Sequence, residues 1–102
     1  MKIYNKLVRD KIPEIIEASG KKPVTRYLNK AEYLEALIQK LAEEYEEFKA
    51  DQSVEELADL QEVILALADA LNISHQELAK TLSKKTLERG AFKKRIFLER
   101  VE

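Results

Sequence analysis

The sequence contains no cysteine and has only two glycines and two prolines among its 102 residues. The missing thiols exclude disulfides, thiolate metal sites and a cysteine nucleophile. No apolar run approaches the roughly 18 residues of a membrane span, and the first residues lack the apolar stretch of a signal peptide. We therefore expect a cytoplasmic protein with no membrane partner.

Hydrophobic residues make up 45% of the chain and charged residues 36%. Because Ala, Glu, Lys and Leu dominate and helix breakers are few, this composition favours helices over a sheet or disorder. The length fits a single domain over residues 1–102. A domain of this size buries only about 60–70% of its unfolded surface, so we expect a homodimer or homotetramer.

Charge is distributed in three blocks, although the net charge is only −1. Residues 1–30 carry a net charge of +5, residues 31–77 carry −11, and residues 78–102 carry +5. An acidic centre between basic ends suits cations at the centre and anions nearby, but solvated helices would show the same blocks. A net charge that is not positive argues against nucleic acid as a partner.

Hydrophobic periodicity and capping signals predict four helices joined by short connections, which describes an all-α bundle. Given from cap to end, the predicted helices are Asp10–Ser19, Asn29–Ala50, Ser53–Leu71 and Ser74–Gly90. Each of the last three caps is followed three residues later by a glutamate, as in a capping box. The apolar stripes of the two central helices predict these core residues: Leu34, Leu37, Ile38, Leu41, Tyr45, Phe48, Leu57, Leu60, Ile64, Leu67, Ala68 and Leu71.

Two pairs of acids stand out on the central helices: Glu44 with Glu47, and Glu56 with Asp59. Residues three apart lie one turn along the same side of a helix, so each pair can converge on one ion. A short connection makes the helices antiparallel, which lets the pairs meet. Four such carboxylates repel one another unless a cation lies among them, and hard oxygen ligands suit Mg²⁺ or Mn²⁺.

Spacing alone leaves a second interpretation open. Acids three residues apart are common on solvated helices, and Glu56 is equally well explained as the capping-box partner of Ser53.

Three segments of the chain together carry a family resemblance. The central one has the acidic pattern EExxE followed by ExxD, present as Glu43, Glu44 and Glu47, then Glu56 and Asp59. The other two are YNKLVRDKIPEII and KKTLERGAFKKRIFLE, at 4–16 and 84–99. The acidic pattern resembles that of the all-α nucleoside triphosphate pyrophosphohydrolases, the superfamily of MazG, phosphoribosyl-ATP pyrophosphatase and the dimeric dUTPases, and the two other stretches resemble its small phosphoribosyl-ATP-pyrophosphatase-like branch. The likeness extends over nearly the whole chain.

This resemblance implies hydrolysis between the α- and β-phosphates of a nucleoside triphosphate, giving a monophosphate and pyrophosphate. It also implies that Glu44, Glu47, Glu56 and Asp59 bind Mg²⁺, with Mn²⁺ as a possible substitute. Glu43, one residue before a ligand, is a candidate to orient the attacking water or to act as its base.

Binding of the substrate phosphates would need basic side chains. Lys85 and Arg89 are candidates at the end of the fourth helix, and Lys6, Arg9 and Lys11 are candidates in the amino-terminal segment. A solvated surface cation is the alternative for each of them.

Two other functions stay open at this level. One is phosphoribosyl-ATP pyrophosphatase of histidine biosynthesis, which shares the chemistry, and the other is a non-catalytic helical module that regulates or binds a partner. The complete set of four acids argues against the second, since such an electrostatically costly cluster should decay first once catalysis is lost.

Overall fold

The computed structural model describes all 102 residues and contains four α-helices and no strands, which confirms the predicted fold class. The helices are α1 (Ile12–Ala18), α2 (Lys30–Ala50), α3 (Val54–Ala70) and α4 (His75–Arg89). The bounds of α2, α3 and α4 agree with the prediction to within one residue of the proposed caps. None of the four helices is long and apolar enough to cross a lipid bilayer.

The three predicted caps of the longer helices are present, but only one of them is a full capping box. The Asn29 side chain accepts a hydrogen bond from the Glu32 N–H, and the Glu32 carboxylate accepts one from the Asn29 N–H. Ser53 and Ser74 each accept a hydrogen bond from the N–H three residues ahead, without the reciprocal glutamate contact. Each of α3 and α4 is therefore capped by a single side-chain acceptor.

The predicted cap of α1 is wrong. Lys11 occupies the N-cap position, and no side chain caps this helix. Pro13 stands in the first turn, where its missing N–H leaves no helical hydrogen bond unmade. The helix ends as expected before Gly20, whose φ of 86° is accessible to glycine at little cost.

Helices α2 and α3 form a hairpin, which is the centre of the fold. The short connection after Ala50 turns α3 back along α2, while α4 contacts α3 alone and α1 packs on no other helix. Only Leu37, Val63, Ala68 and Glu44 are buried. The core is therefore a narrow seam between two helices, and one of the four buried side chains is a carboxylate.

Much of the predicted core lies outside this seam. Ile38, Tyr45, Leu57, Ile64 and Leu71 remain exposed in the single chain, so for this chain their assignment to the core is wrong. A hairpin buries only the line of side chains that faces the other helix, whereas the apolar stripes are wider than that line. Conversely, Val63 was not predicted and is buried, because it lies on the line that faces α2.

Candidate metal centre

The four predicted carboxylates come together across the hairpin. One oxygen from each of Glu44, Glu47, Glu56 and Asp59 lies within 4.8 Å of the others. Each pair lies one turn apart on its helix, and the antiparallel packing of α2 against α3 brings the two pairs to the same level. The geometric part of the metal-site prediction is thus met, and the ion itself stays a prediction.

Two oxygens of the cluster are buried without a hydrogen-bond partner. They are Oε2 of Glu44, a residue that is only 5% exposed, and Oε2 of Glu56. A buried carboxylate oxygen is costly unless it is paired or binds a metal. A divalent cation held by these four carboxylates would offset that cost, so the residues fit the group that their chemistry suggests.

Burial and mutual repulsion also raise the pKa values of two carboxyl groups in the cluster. Desolvation by burial raises the pKa of Glu44, the Glu47 carboxylate raises it further, and the Lys40 ammonium opposes the rise. Desolvation also raises the pKa of Glu56, with added repulsion from Glu47 and Asp59. Both groups therefore hold their protons more tightly than an ordinary glutamate while no cation is bound.

The dimensions suit a small hard cation after a modest adjustment. Oxygens on opposite sides of an octahedral Mg²⁺ are about 4.2 Å apart, because each Mg–O distance is about 2.1 Å. The four oxygens all lie within 4.8 Å of one another, a limit that exceeds this distance by less than an ångström.

The Glu56 carboxylate lies in the acidic cluster and does not complete a capping box. Its backbone N–H donates to the Ser53 hydroxyl, 3.3 Å away, but its side chain makes no return bond to Ser53. The carboxylate lies instead with Glu44, Glu47 and Asp59. Of the two interpretations that spacing left open for Glu56, the geometry favours a place in the acidic cluster.

Two cations border the cluster. The Arg9 guanidinium hydrogen-bonds to Asp59 and lies 3.9 Å from Glu62. On the α2 side, Lys40 Nζ lies 3.5 Å from carboxylate oxygens of both Glu43 and Glu44. Glu43 is therefore beside the cluster, in an ion pair, and is outside the group of four converging oxygens.

The remaining predicted phosphate-binding residues are not brought to the acids. Lys6 lies over the Tyr4 ring, 5.8 Å from its centroid. Lys11, Lys85 and Arg89 are exposed and form no ion pair. Of the five predicted cations, only Arg9 meets the cluster.

Lys40 and Glu62 were not predicted as part of this site. Lys40 precedes Glu44 by four residues, and Glu62 follows Asp59 by three. Helical spacing alone therefore places both beside acids of the predicted cluster. This spacing is the signal in the sequence that points to both residues.

Comparisons with known proteins add little to this geometry. No family model and no solved structure matches the chain. An uncharacterized protein of Mycolicibacterium smegmatis is 57% identical over 44 residues, which is 43% of this chain and 45% of that protein. The chain thus spans less than half the length of this relative, whose description names no activity. The cluster of four carboxylates is consequently the main guide to function.

Proposed function

We propose that this chain is a Mg²⁺-dependent nucleoside triphosphate pyrophosphohydrolase of the all-α, MazG-like superfamily. The observation that carries the proposal is the convergence of Glu44, Glu47, Glu56 and Asp59, two of which have a buried oxygen without a partner. The reaction would break the bond between the α-phosphorus and the oxygen that bridges to the β-phosphate, and water would supply the new oxygen. Its products are a nucleoside monophosphate and pyrophosphate.

The four carboxylates have different parts in this proposal. Glu44 and Glu56 would hold Mg²⁺, or Mn²⁺, from the interior side, because each has a buried oxygen without a hydrogen-bond partner. Glu47 is exposed and Asp59 is half-buried, and these two would complete the set where substrate approaches. When bound, the metal supplies charge for the phosphoryl oxygens and lowers the pKa of a bound water.

Glu43 and Arg9 would act beside the metal ligands. Glu43 is held by Lys40 one residue from a ligand, a position from which it can orient water. Arg9 is half-exposed and already lies against Asp59, so its guanidinium can offer donors to a phosphate that binds at the cluster. Lys6, Lys11, Lys85 and Arg89 remain predicted phosphate ligands, and a cytoplasmic homodimer or homotetramer remains the predicted form.

Pyrophosphate release tests the proposal. The protein is incubated with a panel of nucleoside triphosphates, deoxynucleoside triphosphates and phosphoribosyl-ATP, with and without Mg²⁺. We expect metal-dependent release from at least one of them, and the panel also separates a general activity from the histidine-biosynthesis reaction. Absence of metal-dependent release from every compound would refute the proposal.

Matched variants link the activity to the cluster. Glu47→Gln and Asp59→Asn should each abolish release, because each removes a charged ligand while keeping the side-chain shape. Glu46→Gln is the control, since Glu46 is exposed and pairs with Lys49 outside the cluster. Full activity in Glu47→Gln or Asp59→Asn would remove that residue from the ligand set.

A further inference from the structure

The amino-terminal segment, residues 1–9, is attached to the acidic cluster. It contains no helix, and its last residue, Arg9, hydrogen-bonds to Asp59 and lies 3.9 Å from Glu62. These contacts join the segment to α3 beside a predicted metal ligand. Residues a few positions before Arg9 are thereby held in the neighbourhood of the cluster.

Tyr4, on this segment, is an exposed aromatic residue flanked by two cations. The ammonium groups of Lys2 and Lys6 lie 5.0 Å and 5.8 Å from the centroid of its ring. The residue is 60% exposed, so a ligand can reach the ring. An aromatic face stacks on a nucleobase, and ammonium groups bind phosphate, so the three side chains together suit a nucleotide.

The distance along the chain also suits a nucleotide. Tyr4 precedes Arg9 by five residues, and a fully extended chain of that length spans at most about 18 Å. The segment is not fully extended, because Asn5 has a left-handed φ of 44°, so the two residues are closer than this limit. A nucleoside triphosphate carries its base at one end and its phosphates at the other, and it can bridge a separation of this order.

Three other exposed aromatic residues lie on segments that do not reach the acids. They are Tyr27, Phe92 and Phe97, and none has an ammonium group over its ring. Tyr27 comes before the start of α2, whereas Glu44 lies about 21 Å along that helix at 1.5 Å per residue. Phe92 and Phe97 follow α4, and no hydrogen bond or ion pair joins their segment to the four acids.

Tyr45 is the remaining exposed ring, and it is turned away from the accessible part of the cluster. Lys49 Nζ lies 5.5 Å from its centroid, so this ring also carries a cation. However, Tyr45 and Glu47 are two residues apart on α2, which is a rotation of about 200°. Tyr45 therefore lies on the side of the helix away from Glu47, the exposed member of the cluster. Only Tyr4 combines flanking cations with an attachment to the acids.

We propose that Tyr4 stacks on the base of the nucleotide substrate, so that the amino-terminal segment recognises the nucleoside. This inference rests on the proposed function, because it places the phosphates at the acidic cluster. Lys6 lies between Tyr4 and Arg9 in the sequence, and it pairs with phosphate once the base has replaced its ammonium group over the ring. A purine covers more of the ring than a pyrimidine does, so the segment favours purine nucleoside triphosphates.

Tryptophan fluorescence tests base stacking without measuring activity. The chain has no tryptophan, so Tyr4→Trp places a single reporter on the segment. With Mg²⁺ present, the non-hydrolysable α,β-methylene-ATP should quench this fluorescence, and α,β-methylene-CTP should need about 5-fold more ligand for half-quenching. Inorganic tripolyphosphate, which has no base, should quench little, and the control Tyr27→Trp should respond to none of the three. Equal quenching by tripolyphosphate, or none by the ATP analogue, would overturn the assignment.

Steady-state kinetics with ATP and GTP separate this inference from the proposed function. Tyr4→Ala should raise the KM about 10-fold and leave kcat nearly unchanged, whereas Tyr4→Phe, which keeps the ring, and the control Tyr27→Ala should match the unmodified protein. If the unmodified protein releases pyrophosphate and Tyr4→Ala has an unchanged KM, the inference fails and the proposed function stands. If the ATP analogue quenches Tyr4→Trp but no nucleotide is hydrolysed with Mg²⁺, the proposed function fails and base binding at Tyr4 stands.

Discussion

At the start of α2, the Glu32 carboxylate accepts a hydrogen bond from the Asn29 N–H, 3.2 Å away, and completes a capping box. At the start of α3, Glu56 occupies the equivalent position after Ser53, but its carboxylate lies with three other acids. The two helix starts carry the same sequence signal and differ in what surrounds them. Near Glu32 the charged partner is Arg26, 3.5 Å away and exposed, whereas around Glu56 burial and like charges dominate.

This difference shows that a glutamate at the capping-box position can place its carboxylate in another site. The Ser53 hydroxyl already satisfies the Glu56 N–H, so the helix start does not require the carboxylate. The side chain is then available for the cluster, where its buried Oε2 lacks a partner. Helix capping and a place in the acidic cluster are thus compatible at one residue, because they use different atoms.

The largest expected effect is on metal affinity, which a substitution of Glu56 should reduce and the same substitution of Glu32 should not. Glu56→Gln should weaken Mn²⁺ binding by at least about 100-fold, because a neutral amide replaces a charged ligand. Glu32→Gln should leave Mn²⁺ affinity unchanged, since Glu32 is outside the cluster. Isothermal titration calorimetry of both variants measures the contrast.

Thermal melting of the metal-free proteins controls for misfolding. Glu56→Gln should be at least as stable as the unmodified chain, since it removes one charge from a repulsive group. Equal loss of metal affinity in Glu56→Gln and Glu32→Gln would contradict the assigned difference.

The next contrast is between Arg9, whose acidic partner is distant in the sequence, and Arg26, whose acidic partner is close in the sequence. Arg9→Ala should raise the KM for nucleotide about 10-fold, as expected for the loss of a charge-assisted hydrogen bond to phosphate. It should not weaken Mg²⁺ binding in the absence of nucleotide, because a cation that competes for Asp59 is removed. Steady-state kinetics and metal titration measure the two effects.

Arg26→Ala is the matched variant, and it should change neither quantity. Its pair with Glu32 is exposed, and such pairs contribute less than about 1 kcal/mol. If Arg9→Ala weakened metal binding instead, Arg9 would be positioning Asp59 as a ligand rather than contacting phosphate.

The features that the sequence predicted are those set by local spacing. The caps at Asn29, Ser53 and Ser74 depend on residues three apart, and the convergence of the acid pairs depends on helical rotation and one short connection. Both relations involve residues that are close in the sequence or joined by one short connection. For that reason both the helix bounds and the four-carboxylate cluster could be anticipated.

Features that depend on distant contacts could not be anticipated in the same way. Arg9 is one of five candidate cations in the sequence, and its contact with the cluster depends on how a segment fifty residues from Asp59 lies over α3. The division of the apolar stripes into buried Val63 and exposed Ile64 depends on the direction from which α2 approaches. Periodicity fixes a side of a helix but does not specify which neighbour covers it.

The pH dependence of stability should also distinguish the cluster. The pKa values of Glu44 and Glu56 are raised in the folded, metal-free protein, so between the usual glutamate pKa of about 4.3 and the raised values the folded state binds more protons than the unfolded state. Their contribution to the free energy of unfolding therefore declines as the pH rises through this window. Saturating Mg²⁺ at neutral pH should restore stability.

Melting temperatures of metal-free protein, measured between about pH 4.5 and pH 8, test this expectation. Glu44→Gln should flatten the decline, because the amide does not titrate. Glu46→Gln is the control, as its carboxylate is exposed and outside the cluster. A decline that Glu44→Gln leaves unchanged would assign the effect to other groups.

The smallest expected effects concern the caps themselves. Asn29→Ala removes the acceptor that lies 2.9 Å from the Glu32 N–H and breaks a reciprocal pair, so it should cost about 1 kcal/mol of unfolding free energy. Ser53→Ala removes one longer bond, of 3.3 Å, and should cost about 0.5 kcal/mol. Urea denaturation of the metal-free variants compares the two. A larger loss for Ser53→Ala, accompanied by weaker metal binding, would mean that the hydroxyl also positions Glu56, and the separation of cap from cluster would then fail.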